Sequence, residues 1–359
     1  MDLSFIIWNV NPEVFPFLPE DFFVHPRWYG ILFASGFVLG FQIVQRMLKN
    51  EGYNIEWMDS LLVYMLVGTV LGARLGHVFF YDWAYYQDHL SEILMVWKGG
   101  LASHGASVGI LIALYLWSKK VSKKSMLWIV DRVVVVVAIA GCLIRLGNLM
   151  NSEIVGKPTE SDFGFVFTWD ATNYLKSQKN IKVEDVEVVR SSATSESQIP
   201  ITFIISFEKG ISHSRIEKVM PEFQRVLTGY TPISEDVKVG EVGNFYKLIE
   251  ENGEVKAEIY GIGVTRHPTQ LYEALFYALV FIILMYMYPK WKGYRGKLFG
   301  AFLIGIFGWR FFVEFFKENQ VAFEDELALN MGQYLSIPLV LAGIYFIVTA
   351  KKAMDEQRS

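Results

Sequence analysis

Long apolar runs alternate with short polar stretches along most of the chain. A helix needs about 20 apolar residues to cross the hydrocarbon core of a bilayer. Seven runs meet or approach this length, at residues 28–48, 61–80, 101–117, 126–150, 271–288, 298–316 and 331–350. The pattern therefore predicts an all-α polytopic membrane protein with seven transmembrane helices.

The stretch between the fourth and fifth runs, residues 158–264, is polar and follows a different pattern. Segments IPITFIISF and EVKAEIYGI predict strands, and SRIEKVMPEFQRVL has apolar residues at helical spacing. We therefore expect an inserted α+β domain at 158–264, between membrane domains at 1–157 and 265–359. Residues 5–10 are apolar but too few to span a membrane, so we expect them to form an interfacial segment.

The cationic residues predict the orientation of the runs, because loops that stay in the cytoplasm are enriched in Lys and Arg. The cations follow the first, third, fifth and seventh runs, at Arg46, Lys49, Lys119, Lys120, Lys123, Lys124, Lys290, Lys292, Arg295, Lys297, Lys351, Lys352 and Arg358. The other loops are acidic or poor in cations, as at 82–92 and 324–326. The pattern predicts an outside N-terminus, a cytoplasmic C-terminus and an extracytoplasmic insertion.

Composition removes several classes of protein. Of the 359 residues, 52% are hydrophobic and 19% are charged, and the net charge is −4. A disordered chain is excluded, and no charge excess favours binding to nucleic acid. Cys142 is the single cysteine, and the sequence contains neither a metal-ligand cluster nor a phosphate-cradling loop. We therefore expect no metal and no cofactor.

Ionisable residues inside the apolar runs indicate a candidate site, because each costs several kcal/mol in a bilayer unless it is paired or hydrated. With a rise of about 1.5 Å per helical residue, most of them fall in the outer half of the membrane. These residues are Arg74, His77, His104, Arg145, Glu273, Arg310 and Glu314, with Tyr29 and His267 at the outer ends of runs. A shared depth suits a lipid headgroup, and arginine suits its phosphate because guanidinium binds phosphate oxygens bidentately.

Several of these residues also have simpler explanations. Arg310 and Glu314 are four residues apart, so the two charges are able to neutralise each other on one helix. A lone buried histidine such as His104 is more often a hydrogen-bonded packing residue than a functional one. For most of these residues taken singly the simpler explanation is stronger, and only their shared depth favours a site.

Polar residues around the fourth run have structural alternatives too. Arg145, Asn148 and Ser152 share one helix face by their spacing, where Asn and Ser also serve interhelical hydrogen bonds. Asp131 and Arg132 fall in the inner half of the membrane, on different faces, and we expect them to be structural partners of other helices.

The segment RLGNLMNSEIVGKPT, at 145–159, resembles the signature of the bacterial prolipoprotein diacylglyceryl transferases, R-x-G-N-x-x-N-x-E-x-x-G-x-x-T. Six further blocks resemble this family in order: HPRWYG (25–30), GARLG (72–76), GGLASHG (99–105), HPTQLYE (267–273), RFFVEF (310–315) and MGQYLSIP (331–338). The resemblance covers all seven runs and leaves out most of 158–264. Ile306 stands four residues before Arg310, where the family usually has a tyrosine.

This resemblance implies a reaction and its partners. A diacylglyceryl group would pass from phosphatidylglycerol to the lipobox cysteine of a prolipoprotein signal peptide, as a thioether, with loss of glycerol phosphate. The setting implied is the bilayer of the bacterial cytoplasmic (inner) membrane, with no nucleic acid and no cofactor involved.

The resemblance also implies the site residues. His104 is the expected general base, with Glu153 as an alternative, and Arg145 and Arg310 are expected to hold the headgroup phosphate. Catalysis is thus assigned to His104, Arg145, Arg310 and Glu153. The expected substrate-binding residues are Arg145, Asn148, Asn151, Gly156, Tyr29, Arg74, Gly99, Gly100, Gly105, His267, Glu273 and Glu314.

Other functions stay open on the sequence alone. Another phospholipid-headgroup transferase or a lipid hydrolase would need the same headgroup site, and its product would differ. A membrane scaffold would bind through the insertion and leave the intramembrane charges structural. A transporter should show inverted repeats and polar groups at the midplane, and the sequence shows neither.

Overall fold

The computed structural model describes residues 5–19, 22, 25–161, 163–191, 199–229, 232–239, 245–251, 254–318 and 327–352. Within these ranges the α-helices are α1 (Trp28–Asn50), α2 (Trp57–Phe80), α3 (Trp83–Tyr86), α4 (Ser103–Trp117), α5 (Met126–Met150), α6 (Trp169–Lys176), α7 (His213–Thr228), α8 (Pro232–Asp236), α9 (Thr269–Trp291), α10 (Lys297–Val313) and α11 (Met331–Thr349). Short 3₁₀ turns lie at Leu90–Glu92, Val96–Lys98 and Glu314–Phe316, and a π-helical turn at Ser118–Ser122.

In the described part of the chain six helices are long and apolar enough to cross a membrane, and the chain is accordingly a multi-pass membrane protein. They are α1, α2, α5, α9, α10 with the turn after it, and α11. The third predicted span, at 101–117, forms only the 15-residue helix α4 and is not among the six. At about 1.5 Å per residue α4 is about 22 Å long, which is less than the about 30 Å of a bilayer core. The helix starts at Ser103 because Ala102 is still extended, with φ −106° and ψ 124°, after Gly99 and Gly100, whose φ angles are +84° and +72°.

Helices α2 and α4 pack backbone against backbone through glycines. A Cβ atom on Gly105 would lie 2.7 Å from the Cα of Gly76, and one on Gly109 would lie 2.9 Å from the Cα of Gly72. A side chain at either position would push the helices apart, and close approach of this kind stabilises helix pairs in membranes. Gly105 therefore has a packing role, and its predicted role in substrate binding stays a prediction.

Asp131 and Arg132 are structural partners of other helices, as predicted. The Asp131 carboxylate accepts two backbone N–H groups at the start of α10, over 2.6 and 2.9 Å. Arg132 forms an ion pair with Glu51 after α1, and the hydroxyl of Tyr288 on α9 donates to the same carboxylate. The two charges thus join α5 to the ends of three other helices.

The residues between α5 and α9 carry the predicted sheet. The strands of the described chain are β1 (Ile6–Trp8), β2 (Phe165–Phe167), β3 (Val183–Arg190), β4 (Ile199–Phe207), β5 (Val237–Val239), β6 (Tyr246–Glu251) and β7 (Glu254–Gly263). One sheet has the order β3–β4–β7–β5, and β6 also pairs with β7. All of its pairings are antiparallel.

The predicted strands at 199–207 and 254–262 are confirmed as β4 and β7, the central pair of this sheet. The predicted helix lies within α7, whose Met220 and Phe223 are buried in one cluster with Phe203 and Ile205 of β4. Strand β3 was not predicted, because its exposed residues carry charges. An edge strand tolerates such charges because one side of its backbone has no neighbouring strand.

Within the segment at 5–10 the structure forms a strand, and the expected interfacial position of this segment stays a prediction. Residues Ile6–Trp8 form β1, which pairs in parallel with β2, so that Trp8 lies opposite Phe167. The indole Nε1 of Trp8 donates to the carbonyl of Leu149 over 2.9 Å. The pairing partner lies far along the chain, which a local apolar pattern does not reveal.

The chain forms two compact units. The first comprises Met1–Ile31, Arg145–Tyr272 and Val313–Leu327, and therefore contains the sheet and the signature segment. The second comprises Leu32–Ile144, Glu273–Phe312 and Ala328–Ser359, and contains most of the helical residues.

Candidate active site

The first unit holds a polar cluster at the end of α5. Arg145 and Asn148 lie three residues apart on the last turns of this helix, and the Arg145 guanidinium is 3.4 Å from Asn148 Oδ1. Nδ2 of Asn148 donates to Oε1 of Glu153 over 2.7 Å, and Nδ2 of Asn151 donates to the same oxygen over 3.3 Å. We call Arg145, Asn148, Asn151 and Glu153 the signature cluster. It places a cation, two amides and an exposed carboxylate together.

The helix ends at Met150, so Ser152 does not share its face. The prediction for Ser152 is wrong because the chain leaves the helix two residues earlier, and Ser152 has a φ of +54°. Ile154 is also left-handed, with a φ of +59°. The turn after α5 therefore decides where the Glu153 carboxylate lies.

Tyr29 lies beside the signature cluster. A Cβ atom on Gly147 would be 2.8 Å from the ring of Tyr29, so only glycine lets the two helices meet here. The phenol is close enough to interact electrostatically with both Glu153 and Arg145. The structure thus brings Tyr29 together with the residues that the signature predicted.

Gly156 and His267 are joined by a backbone hydrogen bond. The N–H of Gly156 donates to the carbonyl of His267 over 3.0 Å, and a Cβ atom on Gly156 would be 2.7 Å from the carbonyl oxygen of Phe316. Nδ1 of His267 is 3.2 Å from the hydroxyl of Tyr272. Burial lowers the pKa of His267 below its usual value.

Glu314 pairs with a lysine that the sequence analysis did not single out. The ammonium of Lys317 is 3.1 Å from Oε1 of Glu314, and both side chains are buried. Glu314 lies in the 3₁₀ turn after α10, and not in the helix that carries Arg310. A charged residue three positions beyond Glu314 was the available sign of this pair.

Arg266 is a second residue that the sequence analysis missed. Its side chain is 4% exposed and forms ion pairs with Asp236 and Glu318. One guanidinium nitrogen also donates to the carbonyl of Gly156 over 3.3 Å. Arg266 therefore joins the insertion and the segment after α10 to residues 151–156, which follow α5 and which we call the signature turn.

The second unit holds His104 at the start of α4. Its exposed ring lies 5.2 Å from the ring of Phe80 and 5.6 Å from that of Tyr81. His104 also lines a groove of about 670 Å³ between α2 and α4, whose other walls are almost entirely apolar, from Val63 to Leu116. An imidazole is thus presented at the edge of an apolar groove.

Arg74 is hydrogen-bonded to the loop that precedes α4. Its guanidinium donates to the carbonyls of Glu92 and Ile93, both over 2.7 Å, and to those of Gly99 and Gly100, over 2.5 and 3.4 Å. The side chain is 1% exposed. Arg74 and the two glycines therefore shape this loop, and their predicted binding of substrate stays a prediction.

Glu273 and Arg310 also belong to the second unit. Glu273 is fully buried and accepts a hydrogen bond from the hydroxyl of Tyr277 over 3.1 Å. Arg310 lies in the last turn of α10 and is half-buried. Of the predicted site residues, the first unit thus contains the signature cluster with Tyr29, Gly156, His267 and Glu314, and the second contains the others.

The spanning helices and the signature cluster define a multi-pass membrane protein with a polar site at the end of one span. Residues 20–349 match the family model described as prolipoprotein diacylglyceryl transferase. Three similar proteins carry the name phosphatidylglycerol–prolipoprotein diacylglyceryl transferase. That of Porphyromonas gingivalis is 36% identical over 97% of this chain and 96% of its own length. Those of Tolumonas auensis (33%; 97% and 98%) and Chloroherpeton thalassium (32%; 99% and 98%) match similarly.

The chain belongs to the prolipoprotein diacylglyceryl transferase family. This confirms the resemblance seen in the signature segment, and the match extends through the insertion at 158–264, which the signature blocks left out.

Proposed function

We propose that this protein transfers the diacylglyceryl group of phosphatidylglycerol to the thiol of the lipobox cysteine of prolipoproteins. A carbon–sulfur bond forms at the glycerol carbon, the carbon–oxygen bond to phosphate breaks, and glycerol phosphate leaves. The thiol proton passes to a base, because the thiolate is the nucleophile. Family membership and the names of the relatives support this reaction.

The signature cluster is the observation that carries the proposal. A leaving phosphate needs a positive charge in a fixed place, and Arg145 is held within a network of amides and a carboxylate. We assign Arg145 to the headgroup phosphate, with Arg310 as the second cation. Asn148, Asn151 and Glu153 order the pocket.

His104 is the proposed general base. Imidazole has an ordinary pKa near 6.5, which suits proton abstraction at neutral pH. The apolar groove beside His104 suits an acyl chain, since its exposed walls carry almost no polar atoms. A lipid chain in this groove would bring the substrate to the edge where the imidazole lies.

Purified protein in detergent, given labelled phosphatidylglycerol and a lipobox peptide, is expected to form a thioether-linked lipid on the peptide. Arg145→Gln should slow transfer by about 100-fold or more, because it removes the charge that meets the departing phosphate. Arg215→Gln is the matched control, since Arg215 is exposed on α7 and donates to the carbonyl of Asn180. Mass spectrometry of the peptide measures the product.

A peptide with alanine in place of the lipobox cysteine should stay unmodified. Release of glycerol phosphate without any peptide product would instead identify a lipid hydrolase. A folded protein that transfers nothing, or an Arg145→Gln variant as active as wild type, contradicts the proposal.

The proposed topology has seven spans, an outside N-terminus and a cytoplasmic C-terminus, in the bacterial cytoplasmic membrane. Helix α4 and the π-helical turn that continues it together reach spanning length. This turn and the segment after it carry lysines, which favours a cytoplasmic position for the C-terminal end of α4. The insertion at 158–264 would then be extracytoplasmic.

Single cysteines introduced on each side of α4 test this topology in a Cys142→Ala background. A membrane-impermeant maleimide is expected to label Asp88→Cys in intact spheroplasts, and to label Lys120→Cys only after the membrane is opened. Both side chains are exposed in the protein, so access is set by the bilayer. Equal labelling of both in intact spheroplasts would mean that α4 does not span.

A further inference from the structure

The turn after α5 is held in an unfavourable backbone conformation. Ser152 and Ile154 both have left-handed φ angles, of +54° and +59°. A β-branched residue rarely adopts this conformation, and each such residue costs about 1–3 kcal/mol. The turn therefore persists only because its surroundings hold it.

The first residues of α9 supply that support. The hydroxyl of Thr269 donates to the carbonyl of Ile154 over 3.0 Å, and Nε2 of Gln270 donates to the carbonyl of Glu153 over 2.7 Å. Both side chains are completely buried. Two neighbouring residues of one helix thus bind two successive carbonyls of the strained turn.

The residue clamped in this way is the one that orders the signature cluster. Glu153 lies between the two left-handed residues, and its carboxylate accepts from Asn148 and Asn151. A buried donor on the carbonyl of Glu153 fixes the backbone from which this carboxylate extends. If that donor is lost, the turn is free to relax and the carboxylate moves away from both amides.

We propose that Gln270, together with Thr269, is a positioning residue for the transfer reaction. Gln270 acts through the backbone of Glu153 and touches no reacting atom. The inference rests on the proposed function, because transfer is the activity that the clamp would support. It adds to that proposal the helix that holds the signature turn in its productive shape.

The variant Gln270→Glu separates positioning from mere packing. Glutamate has the same size, but its carboxylate cannot donate to the carbonyl of Glu153, whereas its protonated form can. Acidification protonates the new carboxyl group and so restores the donor. Transfer is expected to be about 10- to 100-fold slower than wild type at pH 8, as for a misplacement of about 1 Å. The ratio of variant to wild-type rate should rise as the pH falls towards 5.5.

Gln178→Glu is the matched control. Its Nε2 donates to the carbonyl of Tyr174 over 2.8 Å, away from the signature turn. Its rate should stay near that of wild type at every pH. A second pair tests Thr269, since Thr269→Ser keeps the hydroxyl donor and Thr269→Val removes it at the same size. Thr269→Ser should keep most of the wild-type rate, and Thr269→Val should lose about 10-fold.

The outcomes distinguish the two proposals. If wild type transfers and Gln270→Glu equals it at pH 8, or if the ratio does not change with pH, the positioning role is overturned. If Gln270→Glu does not fold, the decision passes to the Thr269 pair, and equal rates for Ser and Val overturn the role. A folded wild type that transfers nothing overturns the proposed function, and the positioning role with it.

Discussion

His104→Ala is expected to slow thioether formation by about 100- to 10,000-fold at pH 7, the usual range for loss of a general base. A free thiol has a pKa near 8.5, so without a base most of the peptide stays protonated and unreactive. The loss should shrink above pH 9, where the thiolate forms without help. The measurement is the transfer rate of variant and wild type between about pH 6 and pH 10, a range that brackets the thiol pKa of about 8.5.

Two further variants make this result specific. Glu153→Gln tests the alternative base. If the Glu153 carboxylate only orders the headgroup pocket, this variant should transfer more slowly than wild type and high pH should not restore its rate. His89→Ala is the matched control, because His89 is an exposed histidine of the same unit, 2.9 Å from the carbonyl of Tyr85. A loss restored by high pH in Glu153→Gln, with His104→Ala unaffected, would transfer the role to Glu153.

Arg266→Met is expected to lower the free energy of unfolding by about 1–3 kcal/mol, the usual cost of removing one partner of partly buried, charged hydrogen bonds. The substitution keeps the volume of the side chain but leaves Asp236 and Glu318 without their cation. The free energy of unfolding is measured in a denaturant titration, with proteolysis of the insertion as the probe of unfolding. Lys182→Met is the control, since Lys182 pairs with Glu208 on the surface and should give a much smaller change.

The stability deficit of Arg266→Met should depend on pH. Burial raises the pKa of Asp236 to about 6, and the charge of Arg266 opposes that rise. Without the guanidinium the pKa rises further, so the folded variant binds a proton that the unfolded chain, with a pKa near 3.9, releases. The stability of the variant therefore increases more than that of wild type as the pH falls from about 7 to about 5, and the deficit becomes smaller. A deficit that is unchanged or larger at pH 5 would contradict an electrostatic role for Arg266.

Six spanning helices were predictable because each is a long apolar run bounded by polar residues. The length of α4 was not predictable in the same way, because the predicted run at 101–117 begins two residues before the helix does. Its helix starts at Ser103, where Arg74 binds the carbonyls of the two glycines before it. Such a contact depends on tertiary structure and leaves no trace in local hydropathy.

In the signature cluster, too, some features follow from the local sequence and others depend on tertiary contacts. Arg145 and Asn148 are three residues apart in a helix, so their neighbourhood follows from the sequence. The left-handed turn that brings Glu153 back to Asn148 does not, since Ser152 and Ile154 are poor residues for that conformation. Its support comes from residues more than a hundred positions away on α9. Long-range hydrogen bonds to backbone carbonyls carry no residue pattern by which a single sequence would reveal them.

The pairing of β1 with β2 has a consequence for biosynthesis. Trp8 bonds to Leu149, 141 residues later, and β2 follows at Phe165–Phe167. At the usual ribosomal rate of about 5–20 residues per second, the first strand waits about 8–32 s for β2 to be made. During that interval several membrane helices have emerged, while β1 has formed neither its pairing with β2 nor the hydrogen bond from Trp8 to Leu149. The oldest part of the nascent chain thus waits for its native contacts while several later helices are already made.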